Sequence, residues 1–223
     1  MSVSKLGRNA ILALAVGLGT TLAAGGVQAA PILTFGQVGN ANTITGTQSG
    51  STTTITANDV AITVSQIDAS LGTPLPAFLD LNLTSTGAAT TVAGNNILQD
   101  YSGTFSITSG SGDSGTNYLS GSLIDVAFGQ NAAFTLTAST PPVGAVTFTS
   151  DFITDLGVPR AASFSFANVT PGLAIVDGTI ASFGSSISGT FSAQPAAVPE
   201  PASLTLLGAG LLGLGLIRRR RTS

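Results

Sequence analysis

Between residues 30 and 197 the chain alternates apolar and polar residues with a period of two, and no stretch there carries a convincing helical period. The runs include Ala61-Ile62-Thr63-Val64-Ser65, Phe78-Leu79-Asp80-Leu81-Asn82-Leu83, Thr104-Phe105-Ser106-Ile107-Thr108 and Ala133-Phe134-Thr135-Leu136-Thr137. Val146-Thr147-Phe148-Thr149, Ser163-Phe164-Ser165-Phe166 and Ile187-Ser188-Gly189-Thr190-Phe191-Ser192 repeat the pattern. Such alternation gives a strand one buried and one wetted face. Thr on the wet face keeps strand propensity without adding charge. Gly39-Asn40, Gly87, Gly94-Asn95-Asn96, Gly110 to Gly115, Gly129-Gln130-Asn131, Pro141-Pro142 and Gly157 punctuate the runs as turns. The pattern predicts an all-β fold of roughly ten to twelve short strands, an antiparallel β-sandwich or barrel. A β-solenoid is the alternative, because Gly103-Thr104-Phe105-Ser106 recurs as Gly189-Thr190-Phe191-Ser192. One repeat at long spacing makes it secondary. All eleven Phe fall in this segment and, with Val, Ile and Leu, supply the core.

Charge divides the chain into three parts. The formal net charge is −3, with 7 basic and 10 acidic residues. Six of the basic residues lie near the ends: Lys5, Arg8 and Arg218 to Arg221. Residues 30–197 hold nine Asp and one Arg, a local charge of −8. That charge repels phosphates, so no nucleic-acid partner is expected. The chain has no Cys, His or Trp. Disulfides, thiol nucleophiles, Cys-bound metals and the Ser-His-Asp triad are thereby excluded.

The N-terminus reads as a secretory signal helix over residues 1–29. Lys5 and Arg8 form the positive region, Ala10 to Leu22 the apolar region, and Val27-Gln28-Ala29 a small-x-small cleavage site. Cleavage between Ala29 and Ala30 is expected, with signal peptidase and the secretion translocon as partners. Residues 30–192 then form an all-β ectodomain, 193–197 a linker, and 198–223 a second address signal.

In that tail Val198-Pro199-Glu200-Pro201-Ala202-Ser203 leads into the uncharged stretch Leu204 to Ile217. Leu204, Leu206, Leu207, Leu211, Leu212, Leu214, Leu216 and Ile217 are its large apolar residues. Arg218, Arg219, Arg220 and Arg221 follow as a basic stop. Fourteen apolar residues make a helix of about 21 Å, a short transmembrane anchor with a cytoplasmic C-terminus. Glu200 is the only Glu of the chain, and two prolines hold it in extended backbone.

Pro199-Glu200-Pro201, a short apolar helix and terminal arginines resemble the PEP-CTERM sorting signal of Gram-negative bacteria. The resemblance covers about the last 26 residues. It implies an exosortase-like membrane enzyme that reads Pro199, Glu200 and Pro201, and transient residence in the inner membrane before the outer surface or extracellular matrix. It also implies a link to exopolysaccharide or biofilm.

The body offers little chemistry. Gly110-Ser111-Gly112-Asp113-Ser114-Gly115-Thr116 contains a dinucleotide-loop pattern and is similar to protease nucleophile segments. The first needs a helix where Tyr118-Leu119-Ser120-Gly121 reads as strand, and the others need a His or a second matching Asp. A turn is the reading. Asp151 and Asp155 could serve as a glycosidase pair, but they and Asp177 read as solvated turn residues. Arg160 is expected to pair with Asp155 or Asp151. Asn82-Leu83-Thr84 and Asn168-Val169-Thr170 match a glycosylation sequon. The expectation is a non-enzymatic structural or adhesive protein without catalytic residue, metal site or cofactor. The alternative is a carbohydrate- or calcium-binding secreted module.

Overall fold

Every alternating run becomes a strand. The computed structural model describes residues 29–194, apart from 40, 68–70, 141–144 and 155. Within them are thirteen strands: β1 (Ala30–Gln37), β2 (Ile44–Ser49), β3 (Thr52–Ile67), β4 (Leu75–Ser85), β5 (Thr90–Val92), β6 (Asn96–Gly110), β7 (Ser114–Gln130), β8 (Ala133–Thr140), β9 (Val146–Thr149), β10 (Gly157–Thr170), β11 (Ile175–Val176), β12 (Thr179–Ile180) and β13 (Phe183–Gln194). A short 3₁₀ turn, Ala93–Asn95, precedes β6. No helix among the described residues is long and apolar enough to cross a membrane.

Of the architectures left open by the pattern, the chain adopts the barrel. Eight strands close antiparallel in the order β1-β3-β4-β6-β7-β8-β10-β13 and back to β1. Neighbours in the barrel follow one another along the chain, so the fold is an up-and-down meander without long crossovers. β2 continues the slot of β1, pairing Thr45 with Thr56 of β3 and with Gly184 of β13. β9 pairs with β7 where β8 does not reach. The strands are longer than the spacing of turn residues predicts: β7 has 17 residues, β3 16 and β6 15. Strands must tilt to close a barrel, which lengthens each one. Gly129 and Gly157, read as turn residues, lie within β7 and β10. The last strand runs to Gln194, two residues into the segment read as a linker.

Inward glycines set how the interior fills. Gly189 lies opposite Phe35 on one side and Phe164 on the other. Gly121 lies likewise between Phe105 and Phe148. A Cβ on Gly121 would stand 1.8 Å from the backbone oxygen of Thr147, and one on Gly189 2.5 Å from the Phe35 ring. Large residues flanking a missing side chain let the rings reach the barrel axis. There Phe105 and Phe191 stack at 4.8 Å, and Phe164 meets Phe191 edge-on at 5.4 Å. Phe105 and Phe191 are the aromatic residues of the repeated Gly-Thr-Phe-Ser. The repeat is therefore no solenoid period. It marks two staves on opposite sides of one barrel whose rings meet in the middle.

The end away from Ala30 and Ala193 is plugged by the hairpin β11–β12. Its turn, Asp177-Gly178, has φ of 50° and 79°, the left-handed pair that Asp-Gly favours. A buried polar network seats it. Gln99 donates to Thr179 Oγ1 at 2.7 Å and to the Gly87 carbonyl at 2.9 Å. Its oxygen accepts from the Ile180 N–H at 3.0 Å and from Tyr101 at 3.2 Å. Thr53 donates to the Ile180 carbonyl. Burial pushes the Tyr101 phenol well above its usual range.

Candidate functional cleft

On the outer wall, β4, β6, β7 and β9 lie side by side with their polar residues outward. Register places Asp80, Ser106, Ser120 and Thr149 in one row across these strands. The next row holds Asn82, Thr104, Ser122 and Thr147. Adjacent strands are about 4.8 Å apart, so each row is a ladder of hydroxyls and amides at that repeat. Together they line a cleft of about 750 Å³. Ser122 and Thr147 hydroxyls are 2.7 Å apart, and those of Ser120 and Thr149 2.8 Å.

Two irregularities wall off one end. The β3–β4 register slips between Ala57 and Val60, and Asp59 in that bulge has φ 50°. The tip of the β6–β7 hairpin folds against it: Gly112 N–H donates to Asp59 and Ser106 donates to Asp113. Asp59 N–H donates to Asp80 Oδ1 at 3.0 Å. Opposite, Asn117 holds Ser120 Oγ at 2.9 Å through its amide nitrogen.

Two acceptors in this wall remain unsatisfied. Asp80 Oδ2 and Asn117 Oδ1 are buried and meet no donor among the described residues. Burial raises the Asp80 pKa above the ordinary carboxylate value; the charges of Asp113 and Asp59 add to this, and the Asp59 N–H opposes it. Among the described residues no three acidic side chains come together as metal ligands.

The residues singled out from sequence are placed as follows. The Gly110–Gly115 stretch is the hairpin tip, and Asp177 is the plug turn. Asp151 accepts the Asn117 N–H at 2.8 Å and returns its own N–H to the Asn117 carbonyl at 2.9 Å. Asp155 lies outside the described residues. Arg160 Nε donates to the Leu156 carbonyl at 2.7 Å. Ala30 opens β1 and pairs with Ala193 near the end of β13, so both ends of the barrel leave at one rim. The segment read as a signal helix, up to residue 28, and Pro199 to Pro201, Leu204 to Ile217 and Arg218 to Arg221 lie outside the described residues. The cleft was not read from the sequence. The available signal was the substitution of Asp80 and Asn82 for the Ser and Thr that fill most outward positions.

The profile of the PEP-CTERM protein-sorting motif matches residues 197–221, at the C-terminus. This tail marks an exported, membrane-processed protein with an exosortase as its partner. No curated protein and no solved structure matches the chain at a significant level.

Proposed function

We propose that this exported, PEP-CTERM-sorted chain is a non-enzymatic surface or matrix protein. The tail delivers it, and the barrel is the cargo that acts outside in a structural or adhesive role linked to exopolysaccharide. The observation that supports the reading is that the two ends of the barrel, which lead toward the two address segments of the sequence, lie side by side. Ala30 and Ala193 are paired neighbours, and Pro199 of the sorting motif follows Gln194 by five residues. Five residues span at most about 18 Å, so the barrel is handed over beside the membrane by the rim that carries both ends. A Phe-rich, apolar interior leaves the outer wall as the working surface, as expected of a displayed scaffold.

Glu200→Ala tests the sorting half of the proposal. The variant is expected to accumulate in the membrane fraction with its tail intact, while the wild type is recovered at the surface or in the medium. Intact mass of the extracted protein reads both trimmed ends at once. Unchanged processing of the variant would sink the assignment of Glu200 as the residue read by the sorting enzyme.

A further inference from the structure

The outer cleft is an unassigned site, and its chemistry narrows its ligand. We propose that it binds an uncharged glycan chain lying across β4, β6, β7 and β9. This deepens the reading of the barrel as a matrix module and rests on it.

Shape comes first. A cleft of about 750 Å³ on the wall of a filled barrel is the size of a small-ligand site, and it is open along the rows of side chains. Its lining repeats from strand to strand: Asn82, Thr104 and Ser122 stand in one row, Asp80, Ser106 and Ser120 in the next. A polymer whose hydroxyls recur along an extended backbone can meet the same kind of partner at each strand. Hydroxyl and amide side chains both donate and accept, as sugar hydroxyls do.

Electrostatics comes second. Asp80 and Asp113 line the bulge end of the cleft, Asp59 adjoins them through its N–H bond to Asp80, and no basic side chain among the described residues lines the cleft. Uronates, sulfated sugars and phosphates are repelled from it. Two acceptors in the wall, Asp80 Oδ2 and Asn117 Oδ1, have no donor among the described residues. A buried acceptor without a partner is unfavourable, so a ligand whose O–H groups meet these oxygens as the two side chains turn toward the cleft is favoured over one that brings acceptors. A cation could also fill that need, yet the described acidic residues do not converge as metal ligands. The neutral polyol is the better fit.

The experiment uses the full-length protein in detergent on a printed array of neutral glucans, mannans and galactans together with polyuronates. Titration calorimetry follows on the best neutral oligosaccharide. Retention of a neutral glycan and not of polyuronates is expected. Asn82→Ala combined with Ser122→Ala should weaken binding at least about tenfold, the loss of one or two hydrogen bonds. Thr190→Ala with Ser165→Ala, on another part of the wall, should leave it unchanged. Circular dichroism confirms that both variants fold. The proposal is overturned by the absence of neutral-glycan binding, by binding that both double variants keep, or by binding that EDTA abolishes. Its failure leaves the processing of Glu200→Ala untouched, so loss of the glycan site and loss of the sorting assignment are separate results.

Discussion

Thr104 and Phe105 are adjacent in β6 and sit in different solvents. Phe105 packs against Phe191, Phe164 and Phe148 inside the barrel, whereas Thr104 faces the cleft. The inner face is apolar and fitted, with a glycine opposite an aromatic ring where two rings need room. The outer face is polar and repetitive, so one residue there replaces another at little cost. The same pleat thus separates a surface that holds the fold from one free to take on binding. Interior close packing makes the first sensitive to single methylenes, while water substitutes for partners on the second.

The sharpest way to break this contrast is Phe191→Ala. Phe191 is fully buried and contacts the Phe35, Phe105, Phe148 and Phe164 rings. Its removal should cost about 3–5 kcal/mol in a urea titration followed by circular dichroism. Thr190→Ala, next to it on the outside, should change stability by no more than about 0.5 kcal/mol. Equal effects at the two positions would refute the division of faces.

A smaller loss is expected where polar groups enter the interior. Gln99→Ala removes the residue that joins β6 to the plug hairpin and leaves the Ile180 N–H and the Tyr101 hydroxyl without that acceptor. About 1–3 kcal/mol should be lost, with early amide exchange at Ile180. Full protection of Ile180 in the variant would show that the hairpin is seated by other contacts.

The smallest effect belongs to Asp80, at the seam between the faces. Its folded pKa is raised, chiefly by burial. The native state therefore holds the Asp80 proton more tightly than the unfolded chain. This contribution to stability is complete below the unfolded pKa and is lost as pH rises through the raised folded value. Asp80→Asn should flatten that part of the stability–pH curve and be slightly stabilising at neutral pH. A steeper fall of stability with rising pH in the variant would reverse the sign and the argument.

Much of this was legible along the chain. Period-two runs located the strands, as in Ala133 to Thr137, because alternation is a local consequence of strand geometry. Asp177-Gly178 and the Gly110–Gly115 stretch announced their turns through left-handed backbone. Pro199-Glu200-Pro201 with the arginine cluster announced the sorting tail, since an address must be readable in linear form. The glycines misled: Gly129 and Gly157 carry the mark of turns and belong to strands, and Gly129 stands opposite the Phe134 ring. Arg160 donates to the Leu156 carbonyl, and its expected partner Asp155 lies outside the described residues.

The sequence by itself determined the strand content, the apolar face of each strand, the acidic body and the sorting tail, because these depend on neighbours within a few residues. Tertiary structure alone decided that the sheet closes as a barrel, that Phe105 meets Phe191 at its centre, and that Asp80, Asn82 and Asn117 share a cleft. Those facts depend on register between distant strands. Register is set by how rings and glycines fit once the sheet has closed, and a period of two does not encode that fit.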